Sequence, residues 1–104
     1  MSGREGAYEG TVSIVGAGSI GVAFAVQFAR FGFRVRMWDP LPEALPRAAG
    51  ERAERLRMLA ENGLLDEPVE TVLARVSDHP ILYDALRDAD LVQECAPEQL
   101  EIKR

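Results

Sequence analysis

The sequence is poor in the residues that build metal cages and disulfide frameworks: it has one cysteine, Cys95, and one histidine, His79. A lone cysteine closes no internal disulfide, and one thiol with one imidazole does not make a zinc cage. A reducing cytoplasm is therefore the expected setting. No apolar run approaches the ~18 residues of a membrane span, so no membrane partner is expected. Positive charge is also short. Twelve Lys+Arg stand against 17 Asp+Glu, a net charge of −5. An acidic chain without a clustered basic face is a poor match for nucleic acid. Met1–Gly10 is polar and Gly-rich with no apolar leader, and reads as an N-terminal tail rather than a secretion signal.

Hydrophobic residues are 47% and charged residues 28% of 104, which suits one small globular domain with a thin core. Thr11–Val15 (TVSIV) is β-branched and apolar, the mark of a strand buried on both faces. A glycine loop, Gly16–Gly21, follows. Apolar residues then recur at Ile20, Ala23, Phe24, Phe28 and Phe31 with helical spacing, and Gly32 is placed to end that helix. Val35–Trp38 reads as a second strand closing on Asp39-Pro40. A long helix is expected from between Pro42 and Pro46 to about Asn62, with Leu45, Ala48, Ala49, Leu56 and Leu59 as its buried stripe and Glu51–Arg55 as a favourable i,i+4 pair. Short elements follow: a helix over Val69–Ala74, a strand over Arg75–Ser77, a helical turn over Leu82–Leu86 and a fourth strand over Leu91–Cys95. Pro97 would open a further helix. Strands alternating with helices predict a mostly parallel, doubly wound α/β sheet. For its first four strands the expected order is 3-2-1-4.

The sharpest motif is Gly16-Ala17-Gly18-Ser19-Ile20-Gly21. Gly16 allows a tight turn off the strand, Gly18 lets the backbone approach a pyrophosphate, and Gly21 lets the helix pack close to the sheet. The pyrophosphate would sit on the free helix N–H groups near Ser19 and Ile20. Asp39 lies 18 residues beyond Gly21, at the end of the second strand. A carboxylate there accepts hydrogen bonds from the adenosine ribose and repels a 2′-phosphate, so NAD is expected rather than NADP. Arg34 and Arg36 could argue for NADP, but they precede the strand end and read as solvated strand charges. Trp38 reads as core or as a wall near the adenine. Cys95 reads as a buried strand-end thiol without a histidine partner, and His79 as an isolated loop histidine.

From Thr11 to its end the sequence resembles the NAD-binding domain of the 3-hydroxyacyl-CoA dehydrogenase family. The resemblance rests on VSIVGAGSIGVAFAVQFARFGFRVRMWDP and, more specifically, on ADLVQECAPEQLEIKR, which carries Ala89, Asp90, Glu94, Glu98 and Lys103 at the family's positions. The wording around Cys95 is nearest to the lambda-crystallin branch, which acts on L-gulonate. The resemblance implies that Glu98 and Lys103 are NAD contacts beside the nicotinamide half. On the residues alone, Glu98 would be a first-turn acid complementing a helix dipole and Lys103 a surface lysine. The implied reaction is hydride transfer from C3 of a 3-hydroxyacyl substrate to NAD, giving a 3-keto product. The family's proton-abstracting histidine, its partner glutamate and its dimer-forming helical domain match nothing here. The chain is thus expected to be residues 11–104 of an incomplete NAD-binding domain, with no catalytic residue, inactive alone and part of a homo-oligomer. Two alternatives stand beside this reading: an NAD(H)-binding or sensing module without chemistry, and a dehydrogenase of a free 3-hydroxy acid. FAD is disfavoured, because such domains usually place Glu where Asp39 stands.

Overall fold

Strand β1 (Thr11–Val15) is one of two inner strands of the sheet, in a computed structural model that describes residues 10–95. Helix α1 (Ser19–Arg30) returns the chain to β2 (Arg34–Trp38), and α2 (Ala44–Glu61) with the short α3 (Val69–Leu73) leads to β3 (Val76–Asp78). Helix α4 (Leu82–Leu86) then crosses to β4 (Leu91–Glu94). All three strand pairings are parallel and the order is β3-β2-β1-β4, as the alternation of elements predicts. The third strand lies one residue later than expected, and the fourth ends one residue earlier.

Register sorts the two faces of the sheet. Val12 pairs with Val35 and Ile14 with Met37, and these four are fully buried against α1 and α2. The opposite face carries the row Val92–Ser13–Arg36–Ser77. Here α4 lies, and the polar residues have a definite use. The Ser13 hydroxyl donates to the Ala85 carbonyl, and the Arg36 guanidinium donates to the carbonyls of Asp84 (3.2 Å) and Arg87. A five-residue helix leaves its last carbonyls without intrahelical partners, and a cation at that end satisfies them. Arg36 is therefore a clamp on α4, not the solvated strand charge expected from the pattern; Arg34 is exposed, as expected. Asp90 joins the starts of β4 and β1: its carboxylate accepts the Thr11 N–H at 2.8 Å, and its own N–H donates to the Thr11 carbonyl at 2.8 Å.

Helix α1 buries different residues from those its large apolar side chains suggest. On α1 the buried set is Gly21, Val22, Ala25, Val26 and Ala29, while Ile20, Phe24 and Phe31 are exposed. The reason is closeness: small side chains let the helix axis approach the sheet. The phenylalanines pack along the helix flank instead, Phe24 on Phe28 (6.4 Å between ring centres) and Phe28 edge-on to Phe33 (5.7 Å). On α2, Leu45, Ala48 and Leu56 are buried as expected, and Pro46 falls in the first turn. Arg52 joins them at 6% exposure, with a bidentate bond to Asp78 at 2.9 and 3.1 Å. Burying a guanidinium requires such a partner.

Candidate cofactor site

The loop between β1 and α1 has the three properties its glycines predict. Gly16 sits at φ 118°, a left-handed backbone that a side chain would strain, and its N–H donates to the Trp38 carbonyl at 2.7 Å. At Gly21 a Cβ would lie 1.9 Å from the Gly16 carbonyl oxygen, so only glycine lets α1 come this near. At Gly18 a Cβ would meet nothing within 4 Å. The space in front of Gly18 is open, and the loop backbone borders it directly.

The start of α1 faces the same opening. Gly18 is its N-cap, no side chain caps it, and its first turn carries no acid. Its leading N–H groups at Ser19, Ile20 and Gly21 precede the first intrahelical bond, Val22 N–H to the Gly18 carbonyl at 2.9 Å. Such an end favours an anion through both its donors and its dipole. Ser19 and Ile20 are exposed there.

Asp39 stands beside the loop at the end of β2 and is buried. Its Oδ2 accepts the Ala17 N–H at 2.7 Å and its Oδ1 accepts the Leu41 N–H at 2.8 Å. Two backbone donors thus fix the carboxylate plane. Each oxygen keeps a lone pair for a further donor, which is the chemistry a ribose diol presents. The residues fit a dinucleotide: an open glycine backbone for a pyrophosphate, unfilled helix donors, and an oriented acid at the strand end.

Other expected residues lie elsewhere. Trp38 is half-buried and its indole N–H donates to the Pro80 carbonyl at 3.1 Å, which ties β2 to the loop after β3. His79 lies beyond β3 with its Nε2 2.8 Å from the Ser77 hydroxyl. The Cys95 N–H donates to the Val15 carbonyl at 2.7 Å. Burial, and then the charge of Glu94, pushes the Cys95 thiol up, which favours the protonated, unreactive form. Glu98 and Lys103 lie outside the described residues. Among the described residues no cluster of His, Cys, Asp and Glu could hold a metal, and no helix is long and apolar enough to cross a membrane.

Sequence reasoning missed the support that α2 gives the loop. The Arg47 guanidinium donates to the Ala17 carbonyl at 3.0 Å and to Glu51 at 3.1 Å, and Glu51 also pairs with Arg55 at 2.9 Å. The Ser19 hydroxyl donates to Glu51 at 3.4 Å. The signal was present in part, since Arg47, Glu51 and Arg55 share one helix face at i,i+4 steps.

The same arrangement is found in known proteins. The family model described as "3-hydroxyacyl-CoA dehydrogenase, NAD binding domain" matches residues 11–104. The chain belongs to that family. The lambda-crystallin homolog of Bos taurus is 38% identical over 97 residues, which is 91% of this chain and 30% of that protein. The L-carnitine dehydrogenase of Nocardiopsis dassonvillei is 42% identical over 93 residues, 89% of this chain and 27% of that protein. Among solved structures, the (S)-3-hydroxybutyryl-CoA dehydrogenase of Ralstonia eutropha superposes with a TM-score of 0.78 at 34% identity, covering 89% of this chain and 34% of that one. The chain therefore spans about a third or less of the relatives it matches. Family and fold together establish an NAD-binding domain with the first four strands of a Rossmann-type sheet, and NAD as its cofactor.

Proposed function

We propose that this chain is the cofactor-holding part of a dehydrogenase that oxidises a 3-hydroxyacyl substrate to its 3-keto product. The observation that carries the cofactor part of the reading is the pairing of an open Gly18 with a fixed Asp39, because it fits a dinucleotide and not merely a tight strand–helix turn; the substrate part rests on the family match. When bound, NAD supplies the hydride acceptor. The chain's own residues bind and orient: Gly16, Gly18 and Gly21 shape the loop, the N–H groups of Ser19 and Ile20 take the pyrophosphate, and Asp39 takes the adenosine ribose. Glu98 and Lys103 are proposed contacts near the nicotinamide through the family resemblance. The chain alone is proposed to bind cofactor without turning over substrate, in a cytoplasmic protein that forms a homo-oligomer. A free 3-hydroxy acid is a second substrate reading, favoured by the relatives named for L-carnitine rather than for a CoA ester.

Calorimetric titration of NAD and NADP tests the ribose assignment. Asp39→Ala should weaken NAD about tenfold or more, the loss of one or two hydrogen bonds to a charged acceptor, while changing NADP far less. Equal losses for both cofactors would sink the assignment.

A further inference from the structure

Ala17, in the glycine loop, is fully buried, and its two flanking peptide groups are each held from a different element. The Gly16–Ala17 peptide is held through its N–H, which donates to Asp39 Oδ2 at 2.7 Å. The Ala17–Gly18 peptide is held through its carbonyl, which accepts Arg47 Nη2 at 3.0 Å. A trans peptide is planar, so its N–H points opposite to its C=O. Fixing the Ala17 carbonyl therefore fixes the direction of the Gly18 N–H. That N–H belongs to Gly18, where a Cβ would meet no atom within 4 Å. Arg47 is itself held, because its other terminal nitrogen donates to Glu51 at 3.1 Å one turn along α2.

We propose that Arg47 is a positioning residue for NAD binding: it aims the Gly18 N–H into the cofactor space by gripping the Ala17 carbonyl, in concert with Asp39 on the preceding peptide. The device separates two duties. Asp39 both touches the ribose and orients one peptide; Arg47 orients the next peptide from outside the cofactor space. A cofactor arriving at this loop meets donors already aimed, so less ordering is left to occur on binding. The inference rests on the proposed placement of NAD at this loop.

The test is a double-variant cycle on NAD affinity, with a melt recorded for every protein. Arg47→Ala should weaken NAD about tenfold, the worth of one oriented hydrogen bond. Its melting temperature should change little, since Arg47 is 55% exposed. Arg47→Lys retains one donor and should recover most of the affinity, which a bulk structural role would not predict. Because both side chains act on Ala17, the Asp39→Ala, Arg47→Ala double variant should lose at least about threefold less than the product of the single losses. Unchanged NAD affinity in a folded Arg47→Ala protein overturns the proposal. Strictly multiplicative losses overturn the link through Ala17 and make Arg47 a direct contact. If the unaltered chain binds no NAD, the placement of the cofactor at this loop fails, and the role of Arg47 fails with it. If Arg47→Ala does not fold, the lysine variant decides: affinity close to that of the unaltered chain supports the grip on Ala17, and a tenfold loss overturns it.

Discussion

The two flanks of β1 are built to different standards. On the β2 side every inward residue of the pair is fully buried, α1 and α2 lie across it, and the loop at its end is tied by Asp39, Arg47 and the Gly16 N–H. On the β4 side, Leu91 and Val92 are 46% and 50% exposed, and Ile81 at the N-cap of α4 and Tyr83 within it are exposed as well. Among the described strands β4 pairs only with β1. The comparison teaches where the cofactor geometry is stored. The loop depends on contacts within the β1–α1–β2–α2 unit, and the β4 flank can be thin without disturbing it.

Substitution at two glycines of one loop probes the well-built flank most sharply. Gly21→Ala sets a Cβ 1.9 Å from the Gly16 carbonyl oxygen, a backbone atom that cannot swing aside. Helix and sheet must separate, at a cost of about 3 kcal/mol or more. Thermal unfolding followed by circular dichroism should show a melting temperature lower by roughly 12 °C or more, or no folded protein. Gly18→Val should do the reverse. Its Cβ meets no protein atom and its backbone is extended, so the melt should hold while NAD titration shows no binding. A folded valine variant with unaltered NAD affinity would refute the phosphate-loop reading.

The thin flank makes a different prediction. The exposed apolar pair Leu91 and Val92, on a strand paired on one side only among the described strands, is a template for pairing with another copy. We expect the chain to associate through β4, with light-scattering mass rising with concentration, and a charged Val92→Lys edge to reduce the rise. A monodisperse monomer at every concentration would show that the β4 flank closes unaided.

Strand order and element sequence were legible because β1 is short and apolar, β2 alternates apolar Val35 and Met37 with charge, and the loop after β1 has glycines that each have a separate steric reason. The buried face of α1 was not. Phenylalanines dominate a hydrophobic pattern, yet the residues nearest the sheet are those small enough to allow approach, Gly21, Ala25 and Ala29. Ser13 and Arg36 were opaque for another reason. Each looks like an interruption of a strand until α4 is placed over it and its carbonyls need donors. Arg47 was opaque because its partner is a main-chain carbonyl 30 residues away, which no side-chain pattern records. Asp39 was legible as an acid at a strand end, but its bond to Ala17 was not.

The smallest effect concerns the electrostatic part of the loop's support. Glu51 is held below the ordinary carboxylate range, first by its hydrogen bond to Arg55, with further lowering from Ser19 and Arg47 against an opposing contribution from burial. A carboxyl with a depressed folded pKa stabilises the fold above its unfolded pKa, and that contribution fades as pH falls through the folded value. The unfolded reference is 4.5. Glu51→Gln removes the titrating group, so unaltered and variant chains should differ in melting temperature at neutral pH and converge as the pH drops below about 4.5. Arg47 and Arg55 are half-exposed and solvent screens both pairs, so the gap should be worth no more than about 1 kcal/mol, roughly 4–8 °C. Comparing the two chains cancels the other carboxylates, which titrate in both. A gap that is constant from neutral pH to pH 3 would mean that Glu51 supports the loop through packing alone, and that the charges on this face of α2 are incidental to the well-built flank.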